Sequence, residues 1–418
     1  MRQHISCAAR SPNHAVHISE VNDQTMSSHI DSTTRRARFA VAFAFATQGG
    51  VFITLTTHLP EIAKRWKLLE LELSGVMLMM VLLSGAGSVL AEVLAKKLSS
   101  ATLLRIGLAG AMVAIPIITL APEAIVFFAG MAVYGLALGT IDASTNMQAV
   151  AIEHRYGRPI LPSFHGAWTL GGVIGAGITL LTAKQPLELT AVVAVVPLVA
   201  LLLPFLRRVG MPASLDSVSI PWRPIMLVGV ALILFYMVDT AAFTWGPIYL
   251  DKVFDAPSTL VALATFPYLL ASGTVRLAGD YLVSRFGSTL ILQAGTLVAV
   301  VALAVVVFAP SWQIAVLGFT LLGTGVAVIA PLSFSAAARI ASAHADVDED
   351  TRQAMVDTVI ARFNQFNYAG ALLGAVMIGV IGAANLRIGF AVPMVLILGI
   401  LPLARIFGQA GFGQSTKN

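Results

Sequence analysis

Asp142 and Asn146 stand one helical turn apart inside an apolar stretch, in the segment GLALGTIDASTNMQA. The chain leaves that stretch through a polar loop with Glu153, His154, Arg155 and Arg158, and the next apolar stretch carries His165 and Trp168 near its start. Asp239 lies inside another such stretch, just before DTAAFTW gives way to PIYL. Glu92 sits near the end of a fourth. Ionisable groups are expensive in lipid and point to function where they occur there. A low dielectric disfavours the charged carboxylate, so a carboxyl so placed can load and release a proton. Amides and an imidazole beside it can hydrogen-bond a polar solute or lock helices together.

Other chemistries find no support. The sequence has no G-x-x-x-x-G-K-[ST] phosphate loop, no H-E-x-x-H helix and no G-x-S-x-G elbow, so neither ATP use nor hydrolysis is expected. Cys7 is the single cysteine, which excludes an intramolecular disulfide and a thiolate cage. Four of the eight histidines fall in residues 1–36 at irregular spacing, and neither a metal nor a cofactor is expected. A net charge of +5 on a chain this apolar reports orientation, not nucleic-acid binding.

The elements that must position these residues follow from composition. Of 418 residues, 57% are hydrophobic and 11% charged, against about 45–50% and roughly 25% in soluble domains. The pattern predicts an all-α membrane protein with twelve spans, near 37–62, 72–95, 101–121, 123–151, 161–183, 187–206, 223–250, 257–284, 288–309, 311–340, 354–382 and 385–407. Residues 1–36 are polar, lack the apolar core of a secretory signal and are expected to be disordered, with Met26 a second possible start. Lys and Arg flank the spans unequally: sixteen on the side of the N-terminus and six opposite. The positive-inside rule then places both termini in the cytoplasm. The linker 207–222 divides the chain into bundles 37–206 and 223–407, with a tail at 408–418. The acidic stretch 341–353 is expected to be a solvated turn.

An internal repeat supports the division. Arg276 to Gly287, RLAGDYLVSRFG, aligns with Ser88 to Ser99, SVLAEVLAKKLS, pairing Asp280 with Glu92 and Arg285 with Lys97. GGVIGA at 171–176 aligns with AGALLGA at 369–375, pairing Gly171 with Gly370, Gly175 with Gly374 and His165 with Asn364. Repeated halves are a common transporter plan, with the substrate held between them. Gly135/Gly139, Gly171/Gly175 and Gly370/Gly374 are small-x-x-x-small pairs that predict close helix packing.

The 276–287 segment resembles the signature loop of the major facilitator superfamily. That resemblance implies a twelve-helix fold and a latch between neighbouring helices at the cytoplasmic side. Asp280 could face Arg276 one turn back and cap a neighbouring helix N-terminus, Arg285 belongs to the same motif, and Gly287 would permit the reversal into the next span. The first half has Glu92 and Ser99 where the motif has Asp and Gly. GTIDASTNMQA, Glu153 to Arg158 and FHGAWTLGGVIGA resemble a narrower group, the YbjJ-type bacterial inner-membrane proteins, distant relatives of the fucose permeases. The resemblance implies a multi-pass transporter of the inner membrane. Where that group tends to carry Glu and a second acid, this chain has Asp239 and Thr244.

Depth sorts the candidates. Gln48 falls about 15 Å into the first segment, and Asp239 roughly 20 Å into the seventh. Asn364, Gln365 and Asn367 fall in the inner half of the eleventh. With Tyr236 and Trp245 they are the expected substrate site, helix–helix hydrogen bonding being the alternative for the amides. Asp239 is the first candidate for proton coupling, with Asp142 and Glu92 after it. Asp142, about 28 Å from the far end of its segment, is expected near the cytoplasmic boundary. There it would join Asn146, Arg158, His165, Arg276, Asp280 and Arg285 in a gate. The expected function is secondary transport of a small, polar solute by a monomer in a lipid bilayer, with protons as the candidate coupling ion. A multidrug or metabolite exporter of the same fold is the alternative.

Overall fold

The computed structural model describes residues 31–58, 62, 65–68, 70–182, 185–206, 220–256, 260–343, 349–382 and 385–409. Among them the chain is helical throughout, with no strand. Most of the expected tails 1–36 and 408–418, most of the 207–222 linker and part of the 341–353 turn lie outside the described residues.

In the first half, α1 spans Ser32–Thr57, α2 Glu70–Ala95, α3 Ser100–Thr119, α4 Ala124–Tyr156 and α5 Leu161–Thr182. A 3-10 helix at Leu187–Ala194 then leads into α6, Val195–Leu201. In the second half, α7 spans Trp222–Phe254, α8 Phe266–Phe286, α9 Ser288–Phe308, α10 Trp312–Val326 and α11 Ile329–Ser342. They are followed by α12, Glu349–Phe363; α13, Gln365–Ile381; α14, Leu386–Leu396; and α15, Ile400–Gln409. Among the described residues, 9 helical runs are long and apolar enough to cross a membrane. Their outward faces keep large apolar side chains exposed, such as Leu290, Leu297 and Val301 along α9. That is a surface for lipid, not for water.

Several boundaries differ from the sequence reading. The first helix starts at Ser32, not near 37, because Asp31 caps it by accepting from the Thr34 N–H at 2.5 Å. Residues 349–353, expected to be turn, open α12, where Glu349 and Asp350 suit the positive end of a helix. Several expected single spans are broken, 385–407 among them, between α14 and α15. The 311–340 segment divides around Ala327 and Val328. Pro331 has no N–H to give the Ala327 carbonyl four residues back, so the ladder fails there. The 354–382 segment divides at Asn364.

The repeat register recurs in the packing. A Cβ on Gly171 would lie 2.0 Å from the Ala46 carbonyl oxygen, and one on Gly370 would lie 2.6 Å from that of Ile233. Gly175 meets the Gly50 oxygen at 2.5 Å and Gly374 the Met237 oxygen at 2.2 Å, one turn along in each half. Only glycine permits this approach of α5 to α1 and of α13 to α7. Gly287, between α8 and α9, has φ of 80°, a region other residues rarely adopt, as the reversal there requires.

Candidate functional site

The two halves meet through polar side chains toward the end of the bundle that carries Arg38, Lys97, Arg158 and Arg285, here the basic end. Asp142 on α4 is the hub. Its Oδ1 accepts from Gln48 Nε2 at 3.1 Å, and its Oδ2 accepts from Asn364 Nδ2 at 2.9 Å, Asn367 Nδ2 at 3.2 Å and the Tyr368 hydroxyl at 3.1 Å. One carboxylate is thus held by α1 of its own half and by the α12–α13 break of the other. A buried ion needs such a shell, since donors must replace the water it has lost. Asn146, one turn on, donates to the Asp142 carbonyl at 2.9 Å and to Asn364 Oδ1 at 3.4 Å.

The hub corrects one expectation. Asp142 does not sit at the boundary apart from Gln48. α4 continues to Tyr156, about 21 Å beyond Asp142 at 1.5 Å per residue, and stays buried through Glu153, so Asp142 lies deep. The expected substrate amides and the expected gate are therefore one cluster. Gln365 leaves it: its Nε2 donates to Glu92 Oε2 at 2.6 Å.

Two carboxylates near the basic end join the halves by equivalent contacts. Asp280 Oδ1 accepts from the Ser163 N–H at 2.9 Å, capping the first turn of α5, while Oδ2 lies 3.4 Å from Arg38 Nη2. Glu92 Oε1 pairs with Arg362 Nη2 at 2.7 Å. In the repeat register Asp280 matches Glu92 and Ser163 matches Arg362. Asp280 does cap a neighbouring helix, but it does not pair with Arg276. Arg276 Nε donates to the Ala327 carbonyl at 3.1 Å, the oxygen left open by Pro331, and Nη1 donates to Thr169 Oγ1 on α5 at 3.0 Å. Glu92 is committed to Arg362 and Gln365, which removes the feature that made it a proton candidate. Arg158 and Arg285 are exposed, their guanidinium groups lying over Tyr156 at 5.9 Å and Phe286 at 5.6 Å, away from the central cluster.

Asp239 on α7 accepts a short hydrogen bond from the Tyr268 hydroxyl on α8. Tyr236, one turn earlier, packs edge-on against Phe235 with ring centroids 4.8 Å apart. Trp245 belongs to packing instead: its N–H is taken by the Ala375 carbonyl at 2.9 Å, so it is not free for a solute. His165 lies between Phe45 on α1 and Phe334 on α11, at centroid distances of 5.4 and 6.1 Å. Tyr268, Tyr368, Thr169 and Arg362 escaped the sequence reading. Ser272 and Arg276 at one-turn spacing on α8, facing His165 and Thr169 at the same spacing on α5, were the signal available.

Comparison with solved structures decides the architecture. The Escherichia coli fucose:proton symporter FucP superposes with a TM-score of 0.69 at 16% identity, covering 88% of this chain and 98% of that one. The human organic anion transporter MFSD10 gives 0.68 at 16% identity, covering 89% and 99%.

The fold is that of the major facilitator superfamily.

By sequence, no family model matches. The chain is 27% identical to an uncharacterised MFS-type transporter of Yersinia pestis over 78% of its length and 85% of that protein's. It is 28% identical to an uncharacterised transporter of Sinorhizobium fredii, covering 84% and 92%. It is 25% identical to the membrane protein MosC of Rhizobium meliloti, covering 87% of each. The resemblance to the major facilitator superfamily read in the 276–287 loop thus recurs in whole-chain comparisons. Long apolar helices and transporter relatives together indicate a multi-pass membrane protein. Membrane transport is the class of activity these relatives support, and it is not an enzyme's. The two solved neighbours handle different solutes, so this fold leaves the substrate to the site.

Proposed function

We propose that the chain is a secondary transporter that carries a small polar solute by alternating access. Twelve spans in two bundles, 37–206 and 223–407, would rock about the site. The observation that carries this reading is the Asp142 hub. Four donors converge on one interior carboxylate, and the three from the other half, Asn364, Asn367 and Tyr368, become available to a solute when the halves part. Asp280 and Glu92 are the latches that hold the basic end shut. The excess of Lys and Arg there favours the cytoplasm as that side and the bacterial inner membrane as the location. Asp239 is the proton carrier we favour: it is a membrane-depth carboxyl, and Tyr268 can hydrogen-bond it in either charge state. Protons, the bilayer and a small solute are then the partners, and a monomer suffices.

The test is a thermal-stability screen of the purified protein against sugars, organic acids and amino acids. Uptake of any stabilising solute into proteoliposomes, with and without a pH gradient, follows. Saturable uptake that accelerates with an inward proton gradient is expected. Saturable binding with no flux under any gradient would make the chain a sensor, not a carrier.

A further inference from the structure

α5 and α8 face each other with two polar residues apiece at one-turn spacing. His165, Thr169, Ser272 and Arg276 are 8%, 2%, 1% and 7% exposed. Their hydrogen bonding is incomplete. His165 Nε2 and Ser272 Oγ have no partner among the described residues. Thr169 is fully used, since its hydroxyl donates to the His165 carbonyl at 3.2 Å and accepts from Arg276. Arg276 spends Nε on Ala327 and Nη1 on Thr169, and Nη2 makes no hydrogen bond among the described residues. No carboxylate of the described residues lies within ion-pair distance of it.

Arg276 lies about 15 Å from the α8 end at Phe286, in the buried interior. A guanidinium cannot give up its proton there. A buried cation without an ion pair is costly, and a neutral sugar or amide would leave that cost in place. The spare guanidinium N–H groups, the Ser272 hydroxyl and an imidazole N–H match the acceptors of a small oxyanion.

We propose that the solute carries a carboxylate, and that this group binds Arg276, Ser272 and His165 between α5 and α8. The proposal rests on the transporter reading and gives Arg276 to the solute instead of the latch. It also sets the charge balance. Asp239 on α7 accepts from the Tyr268 hydroxyl, which stands one turn before Ser272 and two before Arg276 on α8. On this reading Asp239, the acid bonded to that helix face, balances Arg276 in the empty site. An arriving carboxylate can take over that balance only if Asp239 takes up one proton. One proton then enters with each anion, and the net charge of the site is unchanged.

The experiment uses the full chain and matched carboxylate and alcohol probes: lactate with 1,2-propanediol, gluconate with sorbitol, and benzoate with benzyl alcohol. Binding is read from the thermal midpoint, and flux from proteoliposomes. At least one carboxylate should raise the midpoint saturably while its alcohol partner does not. Arg276→Gln should weaken that affinity more than tenfold, with Arg276→Lys recovering part of it. Ser272→Ala should weaken it several-fold at an unchanged unliganded midpoint, and it carries the test if Arg276→Gln does not fold. Equal binding by an alcohol partner overturns the proposal, as does wild-type affinity in Arg276→Gln or Ser272→Ala. Flux of a neutral solute with no response to any carboxylate overturns the anion site and leaves the carrier reading standing. Absence of flux for every probe overturns both.

Discussion

Glu92 Oε1 lies 2.7 Å from Arg362 Nη2, and this contact repeats, across the internal pseudo-symmetry, the one between Asp280 and the Ser163 N–H. One contact is an ion pair and the other a helix cap, yet they occupy equivalent places. A helix cap is worth about 1 kcal/mol, or roughly a fivefold change in an equilibrium. Asp280→Asn and Glu92→Gln should each shift the halves toward opening at the basic end. The latches lie on separate helix pairs, so their effects should add. Single cysteines placed near Ser163 or Arg362 in a Cys7→Ser background should label faster in each variant and fastest in the double variant. Solute affinity should change little. A large loss of affinity without faster labelling would show that these carboxylates contact the solute.

Asp142→Ala removes the shared acceptor of Gln48, Asn364, Asn367 and Tyr368. Hydrogen bonds to a charged group contribute about 1.5–3 kcal/mol each. Loss of several should open the interface by at least tenfold on that scale. Labelling of a cysteine placed at Ser88, whose hydroxyl lies 3.5 Å from the Ala361 carbonyl oxygen across the interface, reads this directly. Unchanged labelling would mean that the hub does not hold the halves together.

Asp239→Asn keeps the hydrogen bond to Tyr268 and removes the ionisable group. Accumulation driven by a pH gradient should vanish while exchange of internal for external solute stays measurable. Full accumulation in this variant would assign coupling elsewhere, with Asp142 next in line.

Gly374→Ala forces a methyl group to within 2.2 Å of the Met237 carbonyl oxygen, whereas Gly177 has open space around it. Overpacking of this kind costs about 1–3 kcal/mol. Gly374→Ala should lower the thermal midpoint, and Gly177→Ala should leave it unchanged or raise it slightly. Equal midpoints would show that α13 can shift away from α7 without loss.

Much of the architecture was legible because apolar blocks and glycine spacing are local signals. The pairing of Gly171 with Gly370 and of Glu92 with Asp280, read from the sequence alone, recurs in the packing. The break at Ala327 was also written in the sequence, as Pro331 four residues on. What escaped depends on three dimensions. The depth of Asp142 required knowing that α4 stays buried for more than two turns beyond it. The commitment of Trp245 to Ala375, and of Gln365 to Glu92, required knowing which way each side chain faces across a helix contact. Tyr268 and Tyr368 look like ordinary core aromatics until a carboxylate is placed beside their hydroxyls.

Arg276 divides its loyalty between the two bundles: Nε serves Ala327 of its own half, and Nη1 serves Thr169 of the other. A rocking motion that parts α5 from α8 cuts the second bond and spares the first. The guanidinium then stays aimed by the main chain that Pro331 left bare, while a second N–H edge comes free beside the first. A carboxylate would meet a one-pronged grip in the arrangement described here and a two-pronged fork once the bundles tilt, so capture and reorientation would be the same event.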